Sequence, residues 1–578
     1  MSCHWLSFGL FITMFVPRPM TVLPVGIILL FLGQASVDAE VFTALCDMEY
    51  LVHMEKDLVD SLDRYIQQEE DKLNKIKTFQ SRIREVSQMA MEEPTRHLHH
   101  PVNAYLLVKR FTRDWPLLEA WIQEDTAEDF LYNMTKVKES FPSDEDYIGA
   151  GKALVRLQDT YDLSTQNIAK GKMGEIATAT RPDTGFTKSP ELLAEDCFEL
   201  GRLAYVDQDY YHCALWMEES LARLQPDPMS DLTRDTILDY LAYASYQQNN
   251  IERAYQATKE LLKINPEHTR AVNNMKFFEK EMEKSQNLVT PQKEEVEDTT
   301  VRGEYKRDLA RDYLPEREIY ELLCQADQPE MFNITPSRGK QLKCRYFTNN
   351  NHPRLLLAPQ RLEQVFDKPK MWIFHNILTD PEMEVIKKIA QPRLRRATIQ
   401  NSITGELEHA SYRISKSAWL QGWEHKVIRR VNQRVEDVTG LTMETAEELQ
   451  VVNYGMGGHY EPHFDFARKE EKSAFDPSEG NRIATMLFYM SDVEAGGATV
   501  FPQVGARLIP EKGAGAFWYN LFRSGEGDML TRHAACPVLC PISGFMNEAK
   551  NSAENVGCLR RTSDGPPPPY SNPRPHTT

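Results

Sequence analysis

Hydrophobic side chains between residues 47 and 90 recur at steps of three, four or seven: Leu51, Met54, Leu58, Leu62, Ile66, Leu73, Ile76 and Ile83. Charged residues fill the gaps. That period predicts one long helix with an apolar stripe. The pattern leaves open whether the stripe forms a coiled coil or meets an ordinary bundle partner. Two more amphipathic stretches, LVKRFTRDWPLLEAWI and YIGAGKALVRLQDTYDLS, lie within 100–180 and carry no catalytic constellation. Residues 190–282 look repetitive. Leu238, Leu241, Ala242, Ala254 and Pro266 fit a tetratricopeptide spacing, and the preceding unit, AEDCFELGRLAYVDQDYYHCALWMEESL, fits it loosely. Residues 283–312 are polar and charged and read as a linker. From Tyr313 onward strand signals increase. PEMEVIKKIAQPRL and EHKVIRRVNQRVEDVTG are supporting helices, and residues 450–539 alternate short apolar runs with Gly, Asp and Pro turns, as a jelly roll does.

The expected architecture is multidomain. An α-helical N-terminal half, with the long helix and tetratricopeptide-like repeats, precedes a double-stranded β-helix (jelly-roll) domain. The expected divisions are 1–39, 40–185, 186–285, 286–312, 313–539 and 540–578. Tyrosines are dense in the repeats: Tyr210, Tyr211, Tyr240, Tyr243 and Tyr246. Tyr240 and Tyr243 share a helix face. Paired helices present a concave groove, and an aromatic groove takes a proline-rich peptide in polyproline II form at low entropic cost. Asp239 or Asp209 is placed to bond the peptide backbone. The bland reading of the same tyrosines is helix packing.

The 41% hydrophobic and 26% charged composition is that of a globular protein. The formal charge of −18 argues against nucleic acid or an anionic membrane surface as a main partner. The apolar run Val25–Leu32, followed by Ala35 and Ala39, reads as a signal-peptide core and is too short to span a bilayer. Asn133-Met-Thr135 and Asn333-Ile-Thr335 are glycosylation acceptors in a secretory protein. Together these features point to the endoplasmic reticulum lumen. Nine cysteines are present, and Cys324 and Cys344 flank a basic loop that a disulfide would close in an oxidising compartment.

The candidate chemistry centres on Asn453 to Phe466, NYGMGGHYEPHFDF. His463 and Asp465, at i and i+2, face the same way in a strand and would hold adjacent positions on one metal. A second histidine from elsewhere would complete the two-His-one-carboxylate face that suits non-haem Fe(II).

NYGMGGHYEPHFDFARK, GNRIATMLFYMSDVEAGGATVFP, GAFWYNLFRSGEGD and TRHAACPVL resemble, in order and spacing, the catalytic domain of the collagen prolyl 4-hydroxylase alpha subunits, which are 2-oxoglutarate- and Fe(II)-dependent dioxygenases. The resemblance spans residues 41–539. It implies His463, Asp465 and His533 as iron ligands, with Tyr454 and Thr499 as helpers for the far carboxylate of 2-oxoglutarate. It implies a peptide-substrate-binding domain at the tyrosine-rich repeats, alpha–alpha dimerisation through the long helix, and a Cys324–Cys344 disulfide. It further implies ascorbate as a cofactor, procollagen X-Pro-Gly repeats as substrate, and protein disulfide isomerase as the beta subunit of an α2β2 tetramer.

The chain leaves the family pattern after Leu539. The family's lysine for the far carboxylate falls at Ser543, and the closing strand of the roll is expected to be missing. In the family Cys536 pairs within that closing segment; here it is left free or pairs with Cys540 or Cys558. Lys550, Arg560 and Arg561 are out of register with the lysine. Losing one partner of a buried ion pair costs about 3–5 kcal/mol, roughly a 10²–10³-fold or larger loss of co-substrate affinity. The expectation is therefore an impaired enzyme. The alternative is a non-catalytic subunit that binds proline-rich peptide and dimerises without turnover. The Pro-rich tail, with GPPPPYSNPRP, is expected to be disordered.

Overall fold

The computed structural model describes residues 45–173, 189–226, 230–286, 303–307, 309, 313–325, 343–400, 407–468, 480–541 and 546–555. The signal-like start, Asn333 and Ser543 lie outside them.

The periodic stretch is one helix, α1 (Leu45–Glu92); α2 (Pro101–Lys109) follows, and α1 folds against α3 (Trp115–Gln123) and α4 (Glu128–Lys138). Phe79 of α1 meets Trp115 and Trp121 edge-on at 5.5 and 6.4 Å, and Tyr65 stacks on Phe130. The stripe thus finds partners within the chain. Leu62, Ile66 and Leu73 nevertheless stay exposed, as do Tyr105, Phe111 and Tyr132 on the shorter helices.

Helix α5 (Asp144–Thr160) starts at a capping box between Ser143 and Asp146, which satisfies otherwise orphaned first-turn donors. Four helices follow as two antiparallel pairs: α6 (Ala194–Val206) with α7 (Tyr210–Arg223), and α8 (Arg234–Gln247) with α9 (Ile251–Ile264); α10 (Thr269–Gln286) closes the stack. The looser first unit has the same turn as the second. Gln208 and Asn249 are both left-handed (φ 61° and 57°), and Asp209 and Asn250 cap the following helices by accepting from His212 N and Arg253 N.

Within the expected linker, residues 303–307 are seated against the repeats. Tyr305 packs into the repeat core and donates to Glu218 Oε1 (3.0 Å), the carboxylate that also takes the buried Arg253 guanidinium. A charge-rich segment reads as solvated, yet ion pairing and one aromatic suffice to seat it. It leads to α11 (Arg317–Gln325).

The remainder is a roll of two sheets. Its strands are β1 (Cys344–Phe347), β2 (Gln360–Asp367), β3 (Lys370–His375), β4 (Arg395–Arg396), β5 (Arg413–Ile414), β6 (Lys416–Leu420), β7 (Leu449–Tyr454) and β8 (His459–His463), then β9 (Asn481–Tyr489), β10 (Val493–Gly496), β11 (Thr499–Phe501), β12 (Ala506–Leu508), β13 (Gly515–Tyr519), β14 (His533–Ala535), β15 (Val538–Pro541) and β16 (Met546–Asn555). The large sheet runs β1-β2-β3-β13-β9-β16-β7-β6-β4 and the small one β12-β11-β14-β8-β5. Helices α12 (Asp380–Ala390) and α13 (Lys426–Thr439) cover the outer face of the large sheet through Ile386, Ile428, Val431, Val451, Met486 and Phe488.

Two features differ from the expectations drawn from the sequence. A strand does close the roll: β16 lies between β9 and β7, with Leu487 opposite Lys550 and Tyr454 opposite Met546. Ladder bonds come from the backbone, so a sequence unlike the family's can still fill an open edge. The rest of the expected disordered tail, beyond Asn555, lies outside the described residues. Lys550, out of register with the family's lysine by sequence, is within this ladder. The disulfide joins Cys324 to Cys536, not to Cys344, which is exposed and free. Helix α11 packs against the small sheet and brings Cys324 to the end of β14, whereas Cys344 sits on the outermost strand of the large sheet.

The helical half also takes part in the core of the roll. Leu157 and Tyr161 from α5 and its end share one cluster with Tyr320 and Leu323 of α11, Val500, Ala534 and Leu539. Arg156 donates to Gly457 O at 2.7 Å. Gly457 is left-handed (φ 68°), and a Cβ there would lie 2.7 Å from Ala153 Cβ.

Candidate metal centre

The centre is built where β8 meets β14. His463 pairs directly with His533 across this antiparallel ladder, so their side chains stand on the same face. β8 ends at His463, and the chain bends to bring Asp465 back beneath both rings. His463 Nε2 lies 3.6 Å from Asp465 Oδ1, and His533 Nε2 lies 3.4 Å from Oδ2. One ligand atom from each residue falls within 4.8 Å of the others. Asp465 and His533 are buried.

Each imidazole donates through Nδ1 to a backbone carbonyl two residues back: His463 to Glu461 O (2.8 Å) and His533 to Thr531 O (3.0 Å). This fixes the Nδ1–H tautomer and leaves both Nε2 lone pairs facing the carboxylate. Two neutral imidazoles and one carboxylate are the donor set a ferrous site of this kind requires, and the residues present fit it.

A second layer holds the carboxylate. Thr485 Oγ1 donates to Asp465 Oδ2 at 2.6 Å, Asn520 Nδ2 donates to Thr485 Oγ1 at 2.9 Å, and Trp518 Nε1 donates to Asn520 Oδ1 at 3.0 Å. Arg482 reaches Asp465 O at 3.2 Å while paired with Glu447. Aromatics wall the site: Tyr460 stacks on His463 (centroids 3.5 Å), and Trp518 and Phe501 lie 4.9 and 5.6 Å from His533. Burial raises the Tyr460 hydroxyl above its ordinary range, so it stays protonated.

Thr499 lies inside the roll, with its hydroxyl 2.8 Å from Tyr489 Oη. Tyr454 is buried separately against Val452, Ala535 and Val538. Tyr489 escaped the sequence reading. The signal was the alternation in IATMLFYM: Thr485, Leu487 and Tyr489 fall on one face of β9, toward the interior, while Ala484, Met486 and Phe488 face the helices.

In the repeats, Tyr210, Tyr240 and Tyr243 converge on Tyr205, which the sequence reading also missed; Tyr205 meets them at 6.0, 4.9 and 5.7 Å. Tyr211 instead lies against His212, Tyr246 packs on Phe277 and Phe278, and Asp239 pairs with Arg270. Asn133 Nδ2 donates to Ser61 Oγ of α1 at 3.2 Å and is half-buried.

The roll and its donor set define an Fe(II)- and 2-oxoglutarate-dependent oxygenase, and residues 449–546 match the 2OG-Fe(II) oxygenase superfamily. Residues 44–175 match the prolyl 4-hydroxylase alpha-subunit N-terminal region, and residues 194–284 the prolyl 4-hydroxylase peptide-substrate-binding domain. The chain is 50% identical to prolyl 4-hydroxylase subunit alpha-1 of Homo sapiens, over 89% of this chain and 94% of that one. It is 43% identical to subunit alpha-2 of Caenorhabditis elegans, over 90% and 93%. A solved viral collagen prolyl hydroxylase from Paramecium Bursaria Chlorella virus-1 is 22% identical, with a TM-score of 0.26 over 32% of this chain and 96% of that one. This chain belongs to the prolyl 4-hydroxylase alpha-subunit family, and by family it is a 2-oxoglutarate-dependent prolyl hydroxylase.

Proposed function

We propose that this chain is a procollagen-proline 4-dioxygenase alpha subunit acting on X-Pro-Gly repeats, with ascorbate as reductant, and that His463, Asp465 and His533 hold its Fe(II). The observation that carries the metal assignment is the direct pairing of His463 with His533 over one carboxylate. Bound iron and 2-oxoglutarate supply the oxidising chemistry. The chain's own residues orient and exclude. The two backbone-tied imidazoles keep their lone pairs aimed at one point, Thr485 holds the carboxylate, and the Tyr460, Phe501 and Trp518 rings keep water from the centre. Thr499, with Tyr489 or Tyr454, offers hydroxyls to the co-substrate's far carboxylate. Tyr210, Tyr240, Tyr243 and the added Tyr205 form the aromatic surface for proline-rich peptide, while Tyr211, Tyr246 and Asp239 contribute from its margins. Cleavage of the signal-like start, glycosylation at Asn133 and Asn333, residence in the endoplasmic reticulum lumen, pairing with protein disulfide isomerase and an α2β2 assembly through α1 complete the proposal. No helix among the described residues is long and apolar enough to cross a membrane.

Ser543 in place of the family's lysine supports impaired co-substrate binding, and with it the second reading of a peptide-binding subunit without turnover. A 2-oxoglutarate decarboxylation assay, with and without a proline-rich peptide, separates them. Peptide-coupled turnover like that of relatives rejects impairment, and peptide binding without turnover selects the binding subunit. Loss of metal uptake in His463→Ala and His533→Ala checks the centre itself.

A further inference from the structure

The two histidine strands pair at His463 and His533, but the ladder loses its register directly beside that pair. The β8–β14 ladder is irregular between Tyr460 and His463, and Pro462 beside the ligand has no N–H to give. Outside the roll, two consecutive residues at the start of α11 meet these strands. Arg317 Nη2 pairs with Glu461 Oε1 at 3.0 Å, and Tyr313 donates to the other oxygen of the same carboxylate. Glu461 is the residue whose carbonyl holds His463. Glu316 takes Arg532, the residue before His533, and the Arg532 guanidinium lies 5.3 Å over the ring of Phe464, between His463 and Asp465. All four charged side chains are largely buried.

We propose that Glu316 and Arg317 are positioning residues for the metal centre: as neighbours at one helix start, each grips the residue governing one histidine ligand, and so sets the separation of the two imidazoles from outside the roll. This rests on the reading of His463, Asp465 and His533 as the metal site. The grip is itself anchored. One turn on, Glu321 takes Arg307 through two bonds of 2.9 Å, and Arg307 also reaches Asp159 of α5. The buried apolar face of α11, with Tyr320 and Leu323, prevents the helix from sliding.

The test is Mn(II) and Co(II) titration of the full-length chain. Arg317→Gln and Glu316→Gln are expected to weaken metal binding about ten-fold, as loss of an outer partner of a metal ligand does, and to alter the Co(II) absorption spectrum. The double exchange Arg317→Glu with Glu461→Arg is expected to recover most of that loss, and it keeps the test decisive should a single variant fail to fold. If both single variants bind within two-fold of the unaltered chain while His463→Ala does not bind, the positioning role is wrong and the metal site stands. If His463→Ala binds as the unaltered chain does, the metal reading fails and takes the positioning role with it.

Discussion

Replacing Thr485 with valine removes one oxygen and keeps the shape of the side chain. Thr485 is fully buried. Its hydroxyl gives Asp465 a 2.6 Å bond and takes one from Asn520 at 2.9 Å. Two losses follow. A bond to a charged group contributes about 1.5–3 kcal/mol, and a stranded buried amide costs about 1–3 kcal/mol. Only the first is tied to the metal, because it fixes which way the carboxylate faces. The Asn520 cost falls on folding with or without metal. Metal affinity should therefore fall by roughly 10–150-fold. Thermal stability without metal should fall by about 1–3 kcal/mol. Calorimetric Mn(II) titration gives the first number and denaturation of the metal-free chain the second. Thr485→Ser restores the oxygen and should restore most of the affinity. If Thr485→Val binds Mn(II) within two-fold of the unaltered chain, or more tightly, Asp465 is not held by this hydroxyl and the layered account of the site fails.

Three other expectations are open to measurement. Ser543→Lys should tighten 2-oxoglutarate binding, by up to roughly 10²–10³-fold if the family's ion pair is rebuilt; no change there, with a loss in Lys550→Ala, would place the cation on β16 instead. His212 is buried, which alone would lower its pKa, but its hydrogen bonds to Asp159 and Asp209 outweigh burial and hold it up at about 9. A raised folded-state pKa gives stability that is complete below about 6.5 and is lost as pH climbs through about 9. His212→Gln should thus lower the melting temperature clearly at pH 6 and much less at pH 9.5, and an equal loss at both would refute the charge network. Peptide mapping without reductant should yield a linked fragment containing Cys324 and Cys536; a Cys324–Cys344 fragment would overturn that pairing.

Local chemistry was legible in the sequence wherever it depended on local spacing. The seven-residue beat of α1, the His463–Asp465 pair and the alternation of β9 each name their element. What was hidden depended on long-range closure. Nothing near Cys324 shows that α11 turns its end toward Cys536, and nothing near Glu316 shows that Arg532 lies across from it. The closing strand was hidden for another reason. MNEAKNSAEN lacks the apolar alternation that marks a strand, and it pairs because β7 and β9 leave a gap that backbone alone can fill. Tyr205 was missed because its partners come from α7 and α8, brought together only by the stacking of helices.

The contact of Ala153 and Arg156 with Gly457 ties residues some three hundred positions apart. Helix α5 leaves the ribosome long before the turn it seats, so a ready-made template waits for the His459–His463 strand as that strand is synthesised. A fragment starting at residue 313 would bare Tyr320, Leu323, Val500 and Ala534 to water in one patch. Engineers who trim this chain to its oxygenase should therefore carry residues 144–169 along as a separate peptide or a fused segment, since they behave as a displaced piece of the roll's own wall.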